Sequence, residues 1–541
     1  LDEIVKNFSP AIGRGFGGAI GASALALFLA FSAPAAAQTS AFNQAVAEAG
    51  AVSDAVSAFY ASRNYTPLWT GPSDVPRRHA LVVALSAAAD QGLPASRYDL
   101  AGLIRAAQNA VTEGDRGRLE VAMTQAYLAY ARDANSGALE PAKVDAGIVR
   151  EIVRPDPTVL LQDIATTTAP DAYLRNLAPH APEYARLVKE KLRLESAGAE
   201  PQLAFISADK LGPGDRGTEV IALRDRLMAL GYMGRSATAT YDRQLQMAVQ
   251  RFQLDQGLTA DGVAGGSTIA MLNMTQESRL EAVVVALERL RWMGDAPRGE
   301  RHIWVNQPDF TAKVVDDGQV VFKTRVVIGK DQPDRRSPEF SDQMEYMVVN
   351  PSWGVPRSII VKEYLPLLQR NPNAVSHLQV VDSRGRVVSR GSVNFAAYSA
   401  RSFPYGLRQP PSERNALGVV KFMFPNQYNI YLHDTPDKGL FAKEMRAYSH
   451  GCIRLGDPID LAYTLLARQS DDPKGLFAEH LASRKESNIT LQQPVPVHLV
   501  YFTAWPAEDG EMTYRQDVYG RDKRLFDALT SAGVVLPSVQ G

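Results

Sequence analysis

Thiols are all but missing: Cys452 is the single cysteine in 541 residues. That excludes an internal disulfide. Charge of one sign is missing too, since 58 Lys+Arg stand against 59 Asp+Glu, and without a basic excess there is no electrostatic footprint for nucleic acid. No cysteine follows the small-residue run that ends at Ala37, which excludes a lipid-anchored lipoprotein. What the chain does have is apolar mass. At 45% hydrophobic it can bury more than one core, and its length corresponds to about three domains.

The N-terminus has the form of an export signal. Lys6 and Arg14 precede the uncharged run "GFGGAIGASALALFLAFSAPAAA", which closes on Ala35-Ala36-Ala37, the small-x-small pattern that signal peptidase accepts. The expectation is a signal peptide over 1–37, removed before Gln38. The alternative is an uncleaved anchor, because the run is long enough to span a bilayer.

Residues 42–200 read as a helical scaffold. "RLEVAMTQAYLAYARDANSG" spaces apolar side chains at helical intervals, and Phe59, Tyr60, Tyr65 and Trp69 form an aromatic group expected in the core. A second unit, 205–275, predicts three short helices. Val220, Leu223, Leu227 and Leu230 share one face of the first, and Gly257, Asp261 and Gly262 mark the turn before the third. Its run "GDRGTEV…LRDRL…LGY…AVQRFQLDQGLTADGVAGGST" resembles the peptidoglycan-binding domain of exported cell-wall enzymes. A helical spacer that binds nothing is the competing reading.

From His302 the period changes to short β-rich runs. Asp317-Gly318 predicts a hairpin turn, and "QMEYMVVNPSWGVP", "VVKFMFPN" and "YNIYLHDT" add strands. Between them, 357–414 is partly helical and rich in Pro, Arg and Gly; as an insertion between strands it is a candidate lid. "PVPVHLVYFTAWPAEDGEMTYRQDVYG" is expected as a closing hairpin around Asp509-Gly510. The fold class is therefore multidomain α+β: a helical scaffold, a three-helix module and a mainly-β domain over 300–505 carrying the insertion, with 506–541 a hairpin and tail.

The lone cysteine sits in "AYSHGCIRL". A thiol attacks as thiolate, and at a free pKa of about 8.5 little of it is ionised near neutral pH. A base is needed, and two histidines are near: His450, two residues upstream, and His433, nineteen upstream in "IYLHDTP". Spacing alone does not choose between them. Gly451, lacking Cβ, lets a substrate carbonyl approach the backbone N–H groups of Gly451 and Cys452, an oxyanion site; an ordinary turn glycine is the plain alternative. His433, Asp434, His450 and Cys452 carry metal-ligating atoms, but structural zinc spacing and a second cysteine are lacking.

His433-Asp434-Thr435-Pro436, followed by Ser449-His450-Gly451-Cys452-Ile453-Arg454, resembles the signature of L,D-transpeptidases. "VNPSWGVPRSI", "NALGVVKFMFPN" and "PVHLVYFTAW" resemble the large Gram-negative members of that family, which join a helical scaffold, a peptidoglycan-binding domain and a catalytic domain with a lid. The resemblance implies a cysteine acyltransferase of the periplasm, or anchored in the inner membrane if the signal is kept, that uses no cofactor and no metal. It implies Cys452 as nucleophile, His433 as general base, the Gly451 and Cys452 backbone as oxyanion donors, and Ser449 and His450 in support. Arg454 stands where many members have Asn. Tyr431 and Trp353 are candidates to line the cleft, with core packing as the alternative. On this reading His433 holds the thiol as thiolate, with its pKa well below the free value.

The implied reaction is attack on the third stem-peptide residue of a tetrapeptide, release of D-Ala through a thioester, and 3→3 cross-linking by an acceptor amine, in the service of wall biogenesis and cell shape. Implied partners are stem peptides as donor and acceptor and the wall-synthesis enzymes that supply tetrapeptides; carbapenems are implied acylating agents. Hydrolysis of the same thioester, its transfer to a protein lysine, or a non-catalytic wall-binding scaffold are the alternatives.

Overall fold

The computed structural model describes residues 40–197, 203–507 and 510–536. The signal expected over 1–37 and residue Asp509 of the expected turn lie outside them.

The N-terminal region is helical, as its pattern predicts. Its longest helix, Glu113–Ser136, starts on a reciprocal cap: the Asp115 N–H donates to Thr112 Oγ1 at 3.1 Å and the Thr112 N–H donates to Asp115 Oδ2 at 3.0 Å. Such a cap satisfies two donors that the first turn would otherwise leave open. Phe59, Tyr60 and Trp69 are buried in one core with Tyr127 and Tyr130 of this helix, and Tyr65 is partly buried against it. The aromatics are core, but their polar ends are not idle. Tyr60 Oη donates to Glu120 Oε1 at 2.8 Å and Trp69 Nε1 donates to Thr124 Oγ1 at 2.9 Å.

The three-helix module follows as Thr218–Ala229, Arg243–Asp255 and Gly266–Leu272. Val220, Leu223 and Leu227 are fully buried and Leu230 partly. The helix Gln276–Met293, absent from the sequence expectations, comes next. It is buried on nearly all sides, as expected of a strut between layers and not of a surface helix. It packs on the scaffold helix Pro182–Ser196 and on the C-terminal helix Arg521–Ala532. Its charges survive burial by pairing: Arg289 contacts Asp522 at 2.5 Å and Glu339 at 3.2 Å, and Arg291 contacts Glu288 at 3.2 Å.

The β domain contains β1 (Arg301–Asn306), β2 (Thr311–Asp316), β3 (Gln319–Gly329), β4 (Phe340–Val349), β5 (Trp353–Gly354), β6 (Gln379–Val381), β7 (Val387–Val388), β8 (Gly406–Gln409), β9 (Val420–Met423), β10 (Leu432–His433), β11 (Ala447–Ser449), β12 (Ile453–Leu455) and β13 (Ser487–Val500). Asp317 and Gly318 both have positive φ, 49° and 77°, the two-residue turn whose twist matches its flanking strands. Among the described residues the main sheet runs β11-β3-β12-β10-β9-β4-β13-β1-β2, and β2 pairs again with β3. That second pairing closes a barrel. It also explains β3, whose first half alternates exposed and partly buried while Val326, Val327 and Ile328 are buried together.

Three features differ from expectation. The 487–500 stretch is a full barrel strand between β4 and β1, not one arm of a hairpin. A register shift between Thr490 and Val495 absorbs Pro494, which cannot donate to a ladder. The hairpin is only β14 (Ala504–Pro506) with β15 (Met512–Tyr514). Beyond it stands no simple tail: Arg521–Ala532 is a helix with Leu525 and Leu529 fully buried. The insertion, finally, begins before 357, since Trp353 of β5 pairs with Gln409 of β8, and it owns a four-stranded sheet and a core of Ile360, Leu365, Leu368, Phe395 and Leu407.

Candidate active site

The parallel pair β10–β12 builds the site. Leu432 lies opposite Ile453 and His433 opposite Arg454, and the Ile453 N–H donates to Tyr431 O at 3.2 Å. Leu432 and Ile453 are fully buried in the barrel. Because side chains alternate along a strand, their neighbours Tyr431, His433, Cys452 and Arg454 share the other face. β9 adds Lys421, opposite His433. Two residues expected to work together, His433 and Cys452, thus come to one face from strands nineteen positions apart in sequence.

His433 is held by its own neighbour. Nδ1 bonds to the Asp434 carbonyl at 2.5 Å. A carbonyl only accepts, so Nδ1 carries the proton and Nε2 the lone pair. Burial, helped by the Arg454 charge, pushes the His433 pKa down to about 3, so the ring is a neutral base at physiological pH. The Asp434 carboxylate is spent on the loop, accepting from Val419 N–H at 2.9 Å and from Lys438 Nζ at 2.7 Å.

Cys452 is half-buried, with its thiol donating to Asn429 O at 3.5 Å. Burial pushes its pKa up to about 11, against the opposing pull of Tyr431, Arg454 and Lys421. This corrects the expectation of a preformed thiolate: in an apolar setting the charged form costs more than the two nearby cations return. The resting pair is neutral thiol and neutral imidazole.

Gly451 sits at φ +123°, a conformation closed to ordinary side chains, and an added Cβ would lie 3.4 Å from Ile430 Cδ1. Among the described residues the N–H groups of Gly451 and Cys452 have no acceptor. Adjacent, unpaired and beside a thiol, they can receive a developing oxyanion.

The supporting residues divide. Ser449 is buried and fixes β11 to β3, its carbonyl accepting from Lys330 N–H at 2.8 Å. His450 turns from the thiol to the insertion, with Nε2 at 2.8 Å from Glu363 Oε1. The same oxygen accepts from Arg335 at 2.7 Å, and Lys362 pairs with Asp334. The insertion is therefore tied to the nucleophile turn, as a lid requires. Arg454 reaches Asp437 only at 3.9 Å, and its buried Nε has no hydrogen-bond partner among the described residues. Tyr431 lies 5.6 Å from the His433 ring and Lys421 sits 5.9 Å over Tyr431. Trp353 packs edge-on to Tyr364 at the root of the insertion. The sequence shows no sign of Lys421, Asn429 or Glu363; each is an ordinary residue until the fold sets the first two beside the thiol and the third on His450.

Residues 300–475 match the L,D-transpeptidase catalytic domain, residues 216–272 a peptidoglycan binding domain, and residues 54–190 a scaffold domain. A Haemophilus influenzae protein assigned as an L,D-transpeptidase is 34% identical over 257 residues, covering 47% of this chain and 49% of that protein. The chain spans about half the length of the curated relative it matches. Solved L,D-transpeptidases from Xylanimonas cellulosilytica and Stackebrandtia nassauensis are 17% and 16% identical, covering 54% and 56% of this chain and 98% and 97% of theirs. Their TM-scores are 0.17 and 0.21.

Proposed function

We propose that this chain, whose residues 300–475, 216–272 and 54–190 match an L,D-transpeptidase catalytic domain, a peptidoglycan binding domain and a scaffold domain, forms 3→3 cross-links between peptidoglycan stem peptides through a thioester on Cys452. The observation that carries this reading is the shared face of β10 and β12, where a neutral imidazole and a neutral thiol stand beside two unpaired N–H groups.

In the proposed step the Cys452 proton passes to His433 Nε2 as sulfur attacks the carbonyl of the third stem residue. Negative charge builds on the carbonyl oxygen and is met by the Gly451 and Cys452 N–H groups. Collapse breaks the C–N bond, and the imidazolium returns its proton to the leaving D-Ala amine. An acceptor side-chain amine then attacks the thioester, losing a proton to His433, and the thiol is restored. Attack builds negative charge on sulfur and then on the carbonyl oxygen, which the Arg454 and Lys421 cations favour, while the same cations oppose the imidazolium, so His433 holds the proton only in passing. Arg454, with an unpartnered Nε, suits the carboxylate of the departing D-Ala.

Choosing an amine over water requires a cleft that limits solvent, and the insertion tied through Glu363 to Arg335 and His450 is placed to provide it. The place of action on this reading is the periplasm, reached through the N-terminal signal. Among the described residues no helix is long and apolar enough to cross a membrane.

Purified residues 38–541, given disaccharide-tetrapeptide, should yield dimers lighter than two substrates by one alanine, with the new bond between two third residues. The Cys452→Ala protein should yield none. Tripeptide alone would assign a carboxypeptidase; transfer only to protein lysine, an anchoring enzyme. Cross-linking from pentapeptide with loss of the fifth residue would overturn the L,D assignment.

A further inference from the structure

Gly451 has a second partner group besides its open N–H, and it lies far away in sequence. Its carbonyl accepts from Ser337 Oγ at 2.7 Å. Ser337 is fully buried, and the same Oγ accepts from the Gly329 N–H at 2.9 Å, so its hydroxyl proton is committed to Gly451. Its backbone is clamped as well. The Ser337 N–H donates to Tyr519 Oη at 3.3 Å, Tyr519 Oη donates to Gly329 O at 2.7 Å, and Arg521 donates to Ser337 O at 3.0 Å. The approach is close enough that a Cβ on Gly329 would fall 1.9 Å from Arg335 O. Ser337 is thus a rigid post between the end of β3 and the C-terminal segment, carrying one free donor and spending it on the nucleophile turn.

The consequence follows from the peptide unit. In a trans peptide the C=O of one residue and the N–H of the next point in opposite directions. A Gly451 carbonyl drawn inward by Ser337 therefore turns the Cys452 N–H outward, where no acceptor among the described residues meets it. Gly451, at φ +123°, has the conformational freedom to let this peptide rotate, so something else must fix it. We propose that Ser337 is the positioning residue of the acyl-transfer site, holding the Gly451–Cys452 peptide so that the Cys452 N–H faces the developing oxyanion. The proposal rests on the thioester reading of Cys452.

The test separates oxyanion stabilisation from thiol reactivity. Alkylation of Cys452 by iodoacetamide develops no oxyanion, whereas acyl transfer from disaccharide-tetrapeptide does. In Ser337→Ala the kcat for acyl transfer should fall about 10- to 100-fold with KM little changed, while alkylation stays within about two-fold of the original chain. Ser337→Thr keeps the hydroxyl and should recover most of the lost kcat. Tyr519→Phe removes a neighbouring hydroxyl of the same frame but leaves the Ser337–Gly451 bond, and its kcat should stay within about three-fold. Should Ser337→Ala not fold, Ser337→Cys keeps an atom there as a weaker donor: reduced kcat at constant KM supports the proposal, and an unchanged kcat contradicts it. An unchanged kcat in Ser337→Ala overturns the proposal, as does a parallel fall in alkylation, or a Tyr519→Phe protein as impaired as Ser337→Ala. An original chain that alkylates normally but never forms an acyl-enzyme overturns the thioester reading itself.

Discussion

Two buried polar sites in this chain are built on opposite plans. In the helical region Glu120 is fully buried and its carboxylate is saturated: it accepts from Tyr60 Oη, from the N–H groups of Leu68, Trp69 and Thr70, and from Thr70 Oγ1. In the β domain the turn at Gly451 and Cys452 leaves two N–H groups open, and the nearby Arg454 Nε has no partner. Burying an unmet polar group costs roughly 1–3 kcal/mol, so folds rarely keep one without use. A saturated site has its partners inside the chain. An open one has room for a partner from outside, and among the open groups of this chain these adjoin the single cysteine.

If the open site is the chemical one, changes there should remove activity and spare the fold. His433→Ala should cut acyl transfer about 10³- to 10⁴-fold by removing the proton acceptor, with melting temperature little altered, measured by product formation and thermal unfolding on one preparation. A mutant that loses both together would erase the contrast. The saturated site should respond the other way. Glu120→Ala strands several buried donors and should cost about 3–5 kcal/mol of stability, read from denaturant midpoints, while the folded fraction keeps its kcat. Loss of kcat at full stability would place Glu120 in the chemistry.

A smaller effect sharpens the same contrast through pH. The Cys452 pKa is raised by burial to about 11 and that of His433 lowered to about 3. Raising a thiol pKa shrinks the thiolate fraction at every pH below it, so alkylation of Cys452 should climb about tenfold per pH unit from 7 to 9 without levelling. A plateau near pH 6 would restore the preformed thiolate.

Much of the site was legible in the sequence because its parts lie close along the chain. His433, His450, Gly451 and Cys452 fall within one short stretch, enough to name them as candidates though not to choose between the two histidines, a choice the family resemblance made; Asp317-Gly318 declares its turn by residue type. What stayed hidden depends on distance. Ser337 meets Gly451 across 114 positions, Glu363 meets His450 across 87, and Arg289 meets Asp522 across 233. No local pattern reports such pairs. Of β13 only the part from Pro494 reads as strand in the sequence, as a hairpin arm; its first half and its place between β4 and β1 stayed hidden because they depend on pairing with distant strands. The helix Gln276–Met293 lacks an amphipathic rhythm because neighbours cover nearly every side of it.

The central claim is that Cys452 carries the acyl group. Mixing the chain with disaccharide-tetrapeptide, quenching in acid within a second and weighing the intact protein tests it most directly. The predicted result is a gain equal to the donor less one alanine, located on Cys452 by peptide mapping and absent from Cys452→Ala. Cross-linked product formed by a protein that never gains mass, or by Cys452→Ala, would contradict it.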